Sequence, residues 1–91
     1  MVQIVWTQRA LTLLRLIRSY VAQFDPDAAE RLAARLIDAG NSLHEFPDRG
    51  RPATAGRREL ATVPPYVIRY RVQGDHVVIG DIKHGRQRPR R

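Results

Sequence analysis

Apolar positions along the chain follow two periods, close to 3.6 in the first half and 2 in the second. Val2 to Trp6 is a short β-branched and aromatic run that predicts a strand, and Thr7 beside it is suited to cap a helix. From there Ala10, Leu13, Leu14, Ile17, Val21 and Phe24 recur at the i, i+3, i+4, i+7 spacing of one buried helix face. Asp25-Pro26-Asp27 then supplies an N-cap, a proline fitted to the first helical position and an acid near the positive end of the helix dipole. The second helix carries the stripe Ala29, Leu32, Ala33, Leu36, Leu43 and Phe46 and is predicted to run to about Glu45. So short a connection makes the two helices fold back as an antiparallel hairpin. Gly40 costs roughly 1 kcal/mol relative to Ala inside a helix, so it either weakens this helix or permits close approach to the partner helix.

Pro47 to Gly56 holds two Pro and two Gly and ends the helical half. Three strands fit in what remains. Arg57 to Thr62 is the weakest, bounded by Pro64-Pro65, whose missing N–H groups keep them out of a central ladder. In Tyr66 to Val72, Tyr66, Ile68, Tyr70 and Val72 face one side and Val67, Arg69 and Arg71 the other, so one face is core and one is basic. Gln73-Gly74-Asp75 makes a short hairpin turn, and His76 to Lys83 pairs back antiparallel. The order β-α-α-β-β-β predicts a two-layer α+β fold over residues 1–91, a helix hairpin packed on one face of a mostly antiparallel sheet. Residues 84–91 form a basic tail with no apolar residue other than Pro.

Ninety-one residues, 43% of them apolar, make one small core and exclude a multidomain enzyme. The absence of cysteine excludes a disulfide framework, a thiol nucleophile and a Cys-containing zinc site, and it fits a reducing compartment, so a cytoplasmic location is expected. The longest run without a charged side chain is the nine residues Leu60 to Ile68, against the ~20 that a membrane helix needs. The first residues lack the basic flank of a secretory signal and are expected to be kept as structure. Charge is divided unevenly. Residues 1–47 hold five Arg and five acids, while residues 48–91 hold eleven bases and four acids, which accounts for the whole net charge of +7. Such a field attracts nucleic acid, an acidic protein partner or an anionic surface.

Catalytic and metal chemistry has few candidates. His44, His76 and His84 have no second ligand at a helical i+4 or strand i+2 spacing, so neither a metal nor any other cofactor is expected. Gly50 and Gly85 do not open phosphate-binding loops. Asp81 stands alone and is expected to pair with a cross-strand Arg. The remaining signal is basic: Arg69 and Arg71 on one strand face, Lys83 on the next strand, then His84, Arg86 and Arg88. This cluster suits a phosphodiester, with Arg stabilising developing charge and His as acid or base; it equally suits a solvated strand face with a solubilising tail.

Ile4-Val5-Trp6-Thr7 before an apolar helix, Asp25-Pro26 with Ala28-Ala29, Phe46-Pro47-x-x-Gly50-Arg51-Pro52, Arg58-Glu59-Leu60, Pro65-Tyr66-Val67-Ile68-x-Tyr70-Arg71-Val72 and His84-Gly85-Arg86-Gln87 occur in that order. Over nearly its whole length the chain thereby resembles the RelE/ParE superfamily of type II toxin–antitoxin toxins, once called plasmid stabilisation proteins. The resemblance implies the fold deduced above, a cytoplasmic bacterial growth inhibitor, and neutralisation in a hetero-oligomer with a small antitoxin, usually encoded beside it.

The superfamily divides by mechanism. RelE-type members cut messenger RNA in the ribosomal A site, using basic residues on sheet and tail and often a carboxy-terminal His or Tyr. Here the strand position that is Arg in RelE proper is Val67, and no Tyr follows Tyr70. Arg86 matches the tail arginine, and His84 is the substitute acid or base if the chain is a nuclease. ParE-type members lack the nuclease set, as this chain does, and poison DNA gyrase by binding it. The resemblance therefore favours the ParE-like branch, with Arg69, Arg71, Lys83, Arg86 and Arg88 as the residues expected to bind target or antitoxin. The alternatives are a RelE-like endoribonuclease and a basic nucleic-acid-binding domain that is not a toxin.

Overall fold

The computed structural model describes residues 2–85. Strand β1 (Gln3–Trp6) leads into helix α1 (Gln8–Ala22), helix α2 (Pro26–Asn41) and a 3-10 turn over Ser42–His44. Strands β2 (Arg51–Pro52), β3 (Arg58–Val63), β4 (Tyr66–Gln73) and β5 (His76–His84) follow. The sheet order is β1-β5-β4-β3-β2, antiparallel except for the parallel pair β1 and β5. This is the α+β layering expected, with one short edge strand, β2, in the segment expected to be all turn.

Both helix starts form as their sequences dictate. The Thr7 hydroxyl accepts from Ala10 N at 3.1 Å, the Asp25 carboxylate accepts from Ala28 N at 3.0 Å, and Pro26 opens α2. One buried layer lies between helices and sheet. It gathers Ala10 and Leu14 of α1, Ala33, Leu36 and Ala39 of α2, Leu43, and Leu60, Ile68, Tyr70, Val77, Ile79 and Ile82 of the sheet. Tyr70 is 1% exposed and is also hydrogen-bonded: its hydroxyl donates to Pro47 O at 2.7 Å and accepts from Gly50 N at 2.8 Å. Arg58 donates to Gly50 O at 2.6 Å, so the chain between α2 and β2 is anchored at both backbone groups of Gly50.

Three expectations are corrected. Phe24 and Phe46 belong to the predicted stripes but are 73% and 64% exposed. α1 ends at Ala22 and the 3-10 turn at His44, so the helical period no longer directs either ring inward. Gly40 does permit a close approach, but to the sheet rather than to α1. A Cβ there would overlap the Trp6 indole and come within 2.9 Å of Ile79 Cδ1. Val72, at the far end of the predicted core face, is 39% exposed.

The pairing of β4 with β5 holds one irregularity. Arg69 pairs with Asp81 but Tyr70 pairs with Ile79, so Gly80 is an extra residue in β5, a β-bulge. Thr7 fastens it: its N–H donates to Ile79 O and its hydroxyl to Gly80 O, each at 3.0 Å.

Two substitutions test these constraints by urea unfolding. Gly40→Ala, which would stabilise an exposed helix by about 1 kcal/mol, is expected to destabilise by about 1–2 kcal/mol through overpacking against Trp6. Thr7→Val is expected to cost about 1–3 kcal/mol, since it removes both the helix cap and the bond to the bulge, and Thr7→Ser should recover most of that.

Candidate functional site

Alternation along β4 and β5 turns Arg69, Arg71, Val78, Asp81 and Lys83 to the sheet face away from the helices, in register with Glu59 of β3 and Arg51 of β2. A cleft of about 240 Å³ opens there, walled by Arg9, Arg57, Arg69, Arg71, Gly80 and Asp81. Arg69 grips Asp81 with two parallel bonds, Nε to Oδ1 at 2.7 Å and Nη2 to Oδ2 at 2.6 Å. Arg9 Nε stands 3.9 Å from the same carboxylate. The hydrogen bonds from Arg69 hold the Asp81 carboxyl below its ordinary pKa and push the guanidinium further up. Burial works to raise the pKa of Glu59, but the bond from Arg51 (3.2 Å) and the nearby Lys83 ammonium (3.5 Å) outweigh it and leave the group lowered.

These pairings sort the cations. Arg69 serves Asp81, and Arg51 and Lys83 share Glu59. Arg71 donates to the carbonyl of Ala55 at 2.8 Å, in a turn where Ala55 and Gly56 both have positive φ. Arg9 and Arg57 are exposed at the mouth.

Of the residues singled out in the sequence, Arg69, Arg71 and Lys83 share this face, and the expected cross-strand partner of Asp81 is Arg69. His84 is turned to the other face, opposite Tyr66 in register and edge-on to its ring, with centroids 5.6 Å apart. Arg86 and Arg88 lie outside the described residues. Sequence reasoning missed Arg9, Arg57 and Gly80. The bulge did leave a signal: the apolar residues Val77, Ile79 and Ile82 break the period of two by one residue, at a glycine. The convergence of Arg9 and Arg57, 48 positions apart, leaves none.

A second surface is apolar. Leu16 and Tyr20, one turn apart on α1, are 60% and 61% exposed, and Tyr20 meets Phe24 edge-on at 5.4 Å. Among the described residues no group of three His, Cys, Asp or Glu gathers as metal ligands, and no helix is long and apolar enough to cross a membrane.

Residues 4–89 match the family described as ParE toxin of type II toxin–antitoxin system, parDE. The chain belongs to the ParE toxin family. It is 57% identical over 84 residues to toxin RelE2 of Caulobacter vibrioides, covering 92% of this chain and 96% of that protein. It is 43% identical over 84 residues to putative toxin Y4kP of Sinorhizobium fredii, covering 90% and 86%. The fold is shared with a chain of the chromosomal ParDE system from P. aeruginosa, at TM-score 0.85 and 24% identity over 92% and 96% of the two chains. Membership of the ParE family sets aside a basic nucleic-acid-binding domain outside the toxin class and gives this ParE-family toxin an antitoxin as its partner.

The Arg69–Asp81 pair makes the toxin's stability depend on pH. Because the folded pKa of Asp81 is lowered, the contribution is complete above the unfolded value of about 3.9 and is lost as pH falls through the folded value. Asp81→Asn is therefore expected to be less stable than wild type at pH 7, with the gap closing below about pH 4 in urea titrations across pH.

Proposed function

We propose that this toxin arrests bacterial growth by binding and poisoning DNA gyrase, and that its antitoxin neutralises it by covering the exposed apolar surface of α1 and masking the cationic sheet face. The observation that carries the gyrase reading is the lack of an acid–base group in the cleft among the described residues. Asp81 is held ionised by Arg69, the Tyr70 hydroxyl is committed to Pro47 and Gly50 on the helix side, and His84 faces the helix side as well. Cleavage of a phosphodiester needs a proton donor or acceptor at the reacting oxygen, whereas inhibition by binding needs only complementary charge and shape. Val67, where a nuclease of this superfamily would carry Arg, supports the same reading.

A RelE-like, ribosome-dependent endoribonuclease is the second reading. The name of the 57% identical relative, toxin RelE2, favours it. So do Arg86 and His84, the pair that would then carry catalysis.

Expression of the chain alone should arrest growth, and co-expression of the antitoxin encoded beside it should restore growth. In arrested cells, cleaved gyrase–DNA complexes should accumulate while messages stay uncut at the ribosomal A site. Robust A-site cleavage by the purified protein, abolished in His84→Ala or Arg86→Ala at a stability within about 0.5 kcal/mol of wild type, would overturn the gyrase reading in favour of the nuclease.

A further inference from the structure

Gly80 has no structural need to be glycine. Its φ is not positive, and a Cβ built on it meets no atom within 4 Å. The contrast is with Gly40 and Gly50, where a Cβ would collide with Trp6 or with Tyr70 and Glu59 O. Gly80 lies in the wall of the cleft beside four guanidinium-bearing residues and contributes no side chain to it.

We propose that the Gly80 cleft seats one carboxylate side chain of the antitoxin, an aspartate or glutamate held by Arg9, Arg57 and Arg71. The proposal deepens the toxin–antitoxin reading and rests on it. Three observations favour an acidic peptide over a nucleic-acid backbone as the occupant.

The first is charge. Glu59 and Asp81 stand on the same face, each near its own cations, and among the described residues this face has its largest excess of cations at the cleft, where Arg9, Arg57, Arg69 and Arg71 surround Asp81. A single carboxylate can enter there, while a backbone with a charge on every nucleotide would cross two fixed carboxylates as it continued over the sheet.

The second is the neighbouring surface. Val5 and Val78 are in register with each other and with Arg71, and Val5 is 40% exposed, so the cleft is flanked by aliphatic area. Tyr70 reaches the cleft wall but is 1% exposed, with its hydroxyl bound to Pro47 and Gly50 on the helix side, so it offers no open ring face for a base to stack on.

The third is continuity with the apolar surface of α1. Arg9, Leu13, Leu16 and Tyr20 follow at helical i+3 and i+4 spacing, so a segment lying on α1 is led by that stripe to the cleft mouth. Such a segment would be apolar along the helix and acidic at its end.

The test uses the full-length toxin and the antitoxin encoded beside it, with affinity followed by calorimetry or biolayer interferometry. Gly80→Leu should fill the cleft and Arg57→Gln should remove a cation whose side chain is exposed; each is expected to weaken antitoxin binding on the order of tenfold. Circular dichroism and the thermal midpoint should be unchanged for Arg57→Gln, which keeps the test valid if Gly80→Leu folds poorly. A double-mutant cycle between Arg57→Gln and neutralised acids of the antitoxin should show coupling at one acid. Wild-type antitoxin affinity in Arg57→Gln would overturn the proposal. So would loss of binding to a single-stranded RNA or a DNA duplex with antitoxin affinity intact, which would assign the cleft to phosphodiesters. Failure of the wild-type toxin to bind the antitoxin at all would instead overturn the reading beneath it.

Discussion

A single extra residue in β5 decides which side chains meet the core and which line the cleft on the opposite face. With strict alternation, Val77, Ile79 and Asp81 would share the helix-facing side, and Ile82 would point to water. A carboxylate without a partner in that layer would cost several kcal/mol. The bulge at Gly80 shifts the period by one, so that Val77, Ile79 and Ile82 are buried while Val78 and Asp81 face outward. Thr7 joins this irregularity to the start of α1, because one residue caps the helix and bonds both carbonyls of the bulge. The position of Arg9, two residues on, is thereby tied to that of Asp81.

The outward face is built from pairs rather than free charges. The Asp81 and Glu59 side chains are only 14% and 12% exposed, so burial opposes each charge, and the bonds from Arg69 to the one and from Arg51 and Lys83 to the other offset that cost while fixing where the groups sit. Pairing fixes the direction of the guanidinium groups and leaves more cations than carboxylates at the cleft, where Arg9, Arg57, Arg69 and Arg71 surround Asp81. Electrostatic complementarity of this kind governs the rate and choice of partner more than the strength of the final complex. In the proposed mode of neutralisation, charge would guide the antitoxin's encounter and the apolar surface of α1 would supply the area.

Tyr70 links that outward face to the rest of the molecule. Its ring fills the layer beneath the sheet, and its hydroxyl holds the chain that leaves α2. Close approach at Gly50 makes the link tight, since a Cβ there would come within 2.8 Å of the Tyr70 ring. β3 and β2 thus keep a fixed height beside β4, which is what brings Glu59 and Arg51 into line with Arg69.

The sequence by itself determined the two helices with their caps, the alternation that turns Arg69 and Arg71 from Ile68 and Tyr70, the layering, and the pairing of Asp81 with a cross-strand arginine. These depend on contacts within a turn or across one hairpin, whose spacing is written in adjacent residues. It also carried the order of motifs by which the family was recognised. Only the tertiary structure decided that Phe24 and Phe46 stay exposed, that Gly40 makes room for Trp6, that His84 lies across the sheet from Arg69, and that Arg9 and Arg57 converge on Gly80. Each of those depends on where one element is set against another. Such placement is governed by the packing of the whole layer between helices and sheet, and local periodicity holds no record of it.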